Sequence, residues 1–243
     1  MRSVAIAEAV FFALWRFAES KPSYGLTVIN SKEYDAWNRV VHILSELSCV
    51  DDGDKVAAAR FEHGLHAIHC LMEDWTSNQK NKIDALKTAL RALETFFEIN
   101  SDITMHASQV LHVMTDKSDS KTIDKFRALG GFQTVVKVLR HYRTSNLTYE
   151  IIRPLFLVII HSREINGQNS RLLGDCGACE AVVLALEQGD WSAAQEGCLA
   201  LSSLVRTNPA NKSLAVKTLN AVQIVKRFES CEEGKECLRL LQL

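Results

Sequence analysis

Asn169 to Val205 reads NSRLLGDCGACEAVVLALEQGDWSAAQEGCLALSSLV, and this stretch decides the fold. Gly177 stands between two short patterned segments. After it, Val182, Val183 and Leu186 recur at spacings of three and four residues. That spacing puts their side chains on one face of a helix. Gln195 to Val205 predicts a further helix, centred on Leu201. One helix pair cannot bury such a stripe; stacked neighbours can, along a continuous core.

The rest of the chain supplies the neighbours. GACEAVVLAL from Gly177 matches GGFQTVVKVL from Gly130, 47 residues earlier. Asn169 to Glu187 aligns with Asn211 to Glu229, 42 residues later. QEGCLALSSLV, Gln195 to Val205, has a counterpart in GLHAIHCL, Gly64 to Leu71. With Leu201 as anchor, equivalent anchors fall at Leu14, Ile68, Leu111, Leu155 and Leu243. Successive anchors are 54, 43, 44, 46 and 42 residues apart. All but the first spacing lie near the period of roughly 40–47 residues expected of armadillo or HEAT-type units. The long first one contains Cys49-Val50-Asp51-Asp52-Gly53-Asp54, read as an inserted acidic loop.

The preceding helix repeats in step. Its apolar pairs are Val40-Val41, Ala92-Leu93, Val135-Val136, Val182-Val183 and Ile224-Val225. Leu44, Phe96, Leu139, Leu186 and Phe228 follow, each three residues on. Punctuation agrees with the pattern. Gly130-Gly131 and Gly177 sit where one helix must turn into the next. Pro22 and Pro209 follow helix ends. Ser192 and Gln195 predict a capping box. Pro154, inside YEIIRPLFLVII, predicts either a late helix start or a kink.

Composition narrows the class. Lys+Arg is 28 and Asp+Glu 29, a formal charge of -1, which argues against nucleic acid as an obligate partner. Eleven Gly and 3 Pro leave too little turn chemistry for a many-stranded sandwich or barrel. Seven scattered Cys point to a reducing, cytoplasmic setting rather than a disulfide framework. The apolar run Val4 to Trp15 is interrupted by Glu8 and is too short for a membrane span. No membrane partner is expected. Asn146-Leu147-Thr148 and Asn211-Lys212-Ser213 match the glycosylation pattern; without a secretory signal both read as chance matches.

On these residues the chain resembles the armadillo-repeat (ARM/HEAT-like) superfamily. Asn169 to Val205 carries the likeness: a short first helix, a glycine turn, a second helix beginning Gly-Ala and a long third helix. Ile123 to Ile160 and Asn211 to Leu243 are weaker matches, and repeats before Phe126 rest on anchor spacing. The resemblance implies an all-α fold, a right-handed α-solenoid of three-helix repeats forming a single array over 1–243. The expected repeats are 1–22 (partial), 23–77, 78–118, 119–165, 166–208 and 209–243 (truncated). Apolar VFFALWRF and LRLLQL at the two ends suggest a piece of a longer array, or ends that dock elsewhere.

The resemblance also implies that third helices line a concave groove for a protein partner. In peptide-binding members such as the importins, a Trp and an Asn four residues later recur along it. Here the Trp-like positions are Phe12, His66, Gln109, Arg153 and Leu199. The Asn-like positions are Arg16, Cys70, Val113, Leu157 and Ser203. No Trp-Asn pair is present. A folded or helical partner is therefore expected, rather than a basic extended peptide. Phe12, Arg16, His66, Cys70, Gln109, Arg153, Leu199 and Ser203 form the candidate column.

Catalytic chemistry finds no support. No GxSxG, GxxxxGK[ST] or HExxH pattern occurs. Cys176-Gly177-Ala178-Cys179 is a CxxC, but Cys179 falls on an apolar position and no strand flanks it. His63, His66, His69 and Cys70 lie close enough on a helix to hold zinc, or to line an ordinary seam. The second reading is preferred, so no metal or other cofactor is expected. Lys137, Arg140, His141 and Arg143 fit the favoured placement of cations at a helix C-terminus. A non-enzymatic adaptor is the first functional expectation. The alternatives are a regulatory segment of a larger enzyme and a cofactor of the seventy-kilodalton heat-shock chaperones.

Overall fold

A computed structural model describes residues 79–116, 119–142, 148–162, 168–188 and 193–242, together with Glu62, Gly64 and Leu65. The chain divides into two compact units, Met1–Met114 and Thr115–Leu243. All regular structure among the described residues is helical. In the first unit lie α1 (Gln79–Phe96) and α2 (Ser101–Thr115). The second holds three triplets: α3 (Ser120–Ala128), α4 (Gly131–Tyr142) and α5 (Thr148–His161); α6 (Gln168–Asp175), α7 (Ala178–Gln188) and α8 (Ala194–Val205); and α9 (Pro209–Lys217), α10 (Ala221–Lys226) and α11 (Glu232–Gln242).

The apolar stripes are the core. Leu111, Leu155 and Leu201, the described anchors, are all fully buried. So are the second-helix residues Val135, Val182 and Val225, with Leu139, Leu186 and Phe228 beside them. Each such side chain contributes about 1.5–3 kcal/mol on leaving water. Leu14, Ile68 and Leu243 lie outside the described residues, as do Val40, Val41, Leu44 and Pro22.

Every turn from first to second helix in the second unit has a residue at positive φ. Gly130 has φ 81°, Gly177 φ 87° and Asn220 φ 52°. Glycine meets no Cβ penalty there, and asparagine is among the residues that best tolerate the region. The corresponding part of the 78–118 segment, Asp84-Ala85-Leu86-Lys87-Thr88-Ala89, has neither residue. There the chain continues as one helix, and α1 takes the place of two.

One sequence expectation needs correction, and another falls partly outside the described residues. Helix α5 starts at Thr148, well before Pro154, so the late start is not realised. Pro154 offers no N–H to the carbonyl of Glu150, and Glu150 is exposed. The capping box expected before α8 needs Ser192, which lies outside the described residues. The N-cap is Ala193, which makes no side-chain cap hydrogen bond. Gln195 Nε2 donates to Glu233 Oε1 at 2.7 Å. Pro209 does open a helix, at N1 of α9, where Asn208 Oδ1 accepts from the backbone N–H of Ala210 and Asn211.

Successive repeats are joined by buried carboxamides. Asn169 Nδ2 donates to Ser162 O at 2.8 Å. Asn211 Nδ2 donates to Leu204 O at 3.0 Å and to Ser170 O at 2.8 Å. Each Asn thus reaches a carbonyl 7 residues back, where the preceding third helix ends. Such carbonyls have no partner within their own helix. A Cβ added at Gly174 would collide with the Asn211 carboxamide, so the absence of a side chain there makes its seat. Asn211→Ala should destabilise the protein by about 2–4 kcal/mol, since each unsatisfied buried carbonyl costs about 1–3 kcal/mol. Gly174→Ala alone should also destabilise. In the Asn211→Ala background it should be neutral, or stabilising by up to about 1 kcal/mol as alanine is over glycine in a helix. Urea unfolding of the double-mutant cycle measures this coupling, and additive losses would contradict it.

Candidate interaction surface

In the second unit α5, α8 and α11 are the third helices. Helix α8 packs against both α5 and α11. Polar side chains bridge the outer edges of these contacts. Arg153 Nε on α5 donates to Glu196 Oε1 on α8 at 2.7 Å. Glu196 keeps 15% of its side chain exposed and Arg153 45%, so the pair stands at the rim of the packed layer. The carboxylate pushes the Arg153 pKa further up and keeps the guanidinium charged. Arg153 also lies 6.0 Å from the centre of the Tyr149 ring, within cation–π range. Between α8 and α11, Gln195 bonds Glu233. Arg206, just past α8, donates to Glu236 Oε1 at 3.1 Å, and Arg239 Nη2 lies 2.5 Å from Oε2 of the same carboxylate.

Leu199 follows Glu196 by three residues on the same helix face and is 38% exposed, unusual for a leucine among the described residues. Arg153, Glu196, Tyr149 and Leu199 therefore form one accessible patch of mixed character on α5 and α8. Ser203 does not extend it, being only 7% exposed. Its carbonyl accepts from Ser170 Oγ, a link to α6 rather than to solvent. Leu157 is half-buried. On α2 in the first unit, Gln109 is half-buried with Oε1 3.3 Å from His106 Nδ1, and Val113 is half-buried. Phe12, Arg16, His66 and Cys70 lie outside the described residues, as do His63 and His69. Glu196 and Tyr149 were not singled out from sequence. Glu196 had a usable signal: the anchor register alone sets Arg153 and Glu196 on neighbouring third helices.

A family model described as armadillo-like repeats matches residues 76–149. Solved structures extend the likeness. A designed armadillo repeat protein shares 16% identity and superposes with a TM-score of 0.72, over 96% of this chain and 92% of its own. Computationally designed armadillo repeat proteins for modular peptide recognition give 15% identity and a TM-score of 0.71, covering 96% and 90% of the two chains. A designed armadillo repeat protein in complex with the peptide (KR)4 gives 16% and 0.68, over 96% and 90%.

The chain has the armadillo fold.

At this identity the likeness is one of fold. No curated protein matches the chain. Within the armadillo register the remaining candidate chemistry has definite places. Lys137, Arg140 and His141 occupy the C-terminal part of the second helix α4. Arg140 pairs with Glu180 of α7 at 2.5 Å, which ties consecutive second helices together. Arg143 lies outside the described residues.

The CxxC lies across the turn between α6 and α7. Cys179 is fully buried, and burial pushes its thiol up to about 12. Cys176 is half-buried and also raised, by burial first and then by the Asp175 carboxylate. A redox nucleophile requires the opposite shift, because the thiolate is the attacking species. Both thiols are shifted the other way. Cys198 of α8 and Cys237 of α11 hydrogen-bond thiol to thiol in the core, which raises Cys198 and lowers Cys237. Among the described residues no group of three or more His, Cys, Asp or Glu is placed to hold a metal ion, and no helix is long and apolar enough to cross a membrane. Iodoacetamide at pH 8 followed by peptide mapping should leave Cys179 unlabelled in native protein and label it after denaturation. Rapid native labelling of Cys179 would contradict its burial.

Proposed function

We propose that the chain is a non-enzymatic interaction scaffold whose third helices bind a folded or helical protein partner. The accessible patch on α5 and α8 carries this reading. It places an exposed leucine, Leu199, beside an aromatic ring and a paired arginine on adjacent helices. Such a mixture suits an amphipathic partner surface: Leu199 gains by leaving water, while Arg153 offers a planar donor for a carboxylate. The third-helix column is the reading of the groove that the armadillo fold suggests. Peptide binding is stated for two of the designed neighbours, one of them with (KR)4. Gln109, Arg153 and Leu199 in the Trp-like register, with Val113, Leu157 and Ser203 in the Asn-like one, supply neither the aromatic pockets nor the amide ladder of that mode. The scattered, odd-numbered cysteines support a cytoplasmic setting.

Arg153→Glu combined with Leu199→Asp tests the proposal. Both side chains are exposed, and a rim ion pair contributes only about 0–1 kcal/mol. The variant should therefore keep its helical circular dichroism. A protein captured from cell extract by the native chain should be lost with the folded variant. Undiminished capture would remove this face from consideration.

A further inference from the structure

The first helices of the second unit carry a different surface. Helices α3, α6 and α9 are tied side by side: Arg127 Nη1 donates to Asn169 Oδ1 at 3.1 Å, and Asn211 Nδ2 to Ser170 O at 2.8 Å. Exposed on them are Lys121 and Lys125 of α3, Arg171 of α6 and Lys217 of α9, with Lys212 half-buried. None of these five cations has an ion pair or side-chain hydrogen bond to a described residue. Of the carboxylates on these helices, Asp124 is held by Arg127 at 2.8 Å, which leaves Asp175 alone. The third helices show the reverse. Arg153, Lys235 and Arg239 are each matched to a glutamate. Helix α9 itself carries Lys212 and Lys217 and no Asp or Glu.

An apolar element lies among the cations. Asn169 and Asn211 play the same part in consecutive repeats, so the 42-residue register makes Leu172 and Leu214 equivalent; the 47-residue register places Lys125 at the same position one repeat earlier. Leu172 is half-buried, and Leu214 is one of four large apolar side chains exposed among the described residues. Lys217 is three residues beyond Leu214, on the same helix face.

We propose that this first-helix ledge docks an acidic amphipathic helix from a partner protein. Its carboxylates meet Lys125, Arg171 and Lys217, and one of its apolar side chains rests on Leu214. Side-chain hydrogen bonds span from α6 to α3 and from α9 to α6, so neighbouring first helices lie within reach of one long side chain. A heptad of helix rises about 10.5 Å at 1.5 Å per residue. Glutamates about one heptad apart can reach cations on successive first helices because lysine and arginine side chains are long and flexible. Single-stranded nucleic acid is disfavoured because the aromatic residue of these three helices, Phe126, is buried and no stacking platform is present. A lipid surface is disfavoured because Leu214 alone offers little to insert. The ledge is separate from the α5 and α8 patch and does not depend on it.

Fluorescence anisotropy with the full chain tests the proposal. The probe is a fluorescein-labelled helical peptide two heptads long, built from Leu, Ala and Glu with the glutamates a heptad apart. Saturable, salt-sensitive binding is expected. Lys125→Glu/Arg171→Glu/Lys217→Glu should weaken it about tenfold or more, as loss of three exposed charge pairs implies. Lys217→Glu alone, a milder change to the fold, should weaken it about two- to threefold. Arg153→Glu/Leu199→Asp should bind like the native chain, which separates failure of this proposal from failure of the scaffold reading. A scrambled peptide of the same composition should bind less tightly. The proposal is overturned by any of these results: no saturable binding, equal binding to the folded charge-reversed variants, loss through the Arg153/Leu199 variant, or equal affinity for the scrambled peptide. Tighter binding of a single-stranded RNA oligonucleotide or of phosphatidylserine vesicles through the same lysines would also overturn it.

Discussion

The carboxamide of Asn211 holds three parts of the second unit together. Its Nδ2 satisfies Leu204 O at the end of α8 and Ser170 O within α6, while its backbone N–H is taken by the Asn208 cap. Apolar burial supplies most of the driving force between stacked helices, but it is non-directional. It would tolerate one repeat sliding over the next. A fully buried amide that must find two particular carbonyls does not tolerate sliding, because every other register leaves polar groups dry and unpaired. Asn169, bonded to Ser162 O and to Arg127, performs the same service one repeat earlier. The outer bridges, Arg140 to Glu180 and Arg153 to Glu196, add orientation at the rim of a stack that the buried amides have aligned.

What could be read in the sequence follows from which interactions are periodic. Val182, Val183 and Leu186 repeat because each repeat faces the same core, and the structure buries all three. Gly130 and Gly177 were legible because glycine advertises a left-handed turn. Asn220 was not, since asparagine serves polar surfaces as readily as turns, and its φ of 52° emerges only from the coordinates. The continuous α1 follows from a missing turn residue, and an absence is harder to read than a motif. In the candidate site, Arg153 and Leu199 are exposed, whereas Ser203 is buried and its carbonyl accepts from α6, 33 residues away in sequence. Helical spacing fixes the face a residue occupies, but not which neighbour later covers it.

The two faces of the second unit differ in how their charges are spent. On the third helices, Arg153, Lys235 and Arg239 are each matched to a glutamate, and Leu199 is an exposed apolar side chain beside the first of these pairs. Along the first helices the lysines remain hydrated and unmatched. Hydrated, unpaired charge of one sign acts over about a Debye length, roughly 8–10 Å at moderate salt, and chiefly sets the rate of encounter. A desolvating apolar patch acts only at contact and chiefly sets residence time. As proposed, the first-helix ledge would steer an encounter and the α5 and α8 patch would retain it.

Among the described residues, the side-chain hydrogen bonds that join neighbouring repeats in Thr115–Leu243 span from 7 residues, at Asn169 to Ser162 and Asn211 to Leu204, to 43, at Arg153 to Glu196. None reaches past the adjacent repeat. Each buried asparagine bonds only to the repeat before it. A tandem duplication of one repeat, carrying its own asparagine and its own left-handed turn, would therefore arrive with every bond it needs and would ask nothing of repeats further along. Lengthening by gene duplication, and recombination at repeat boundaries, are written into this chain by the short reach of its hydrogen bonds.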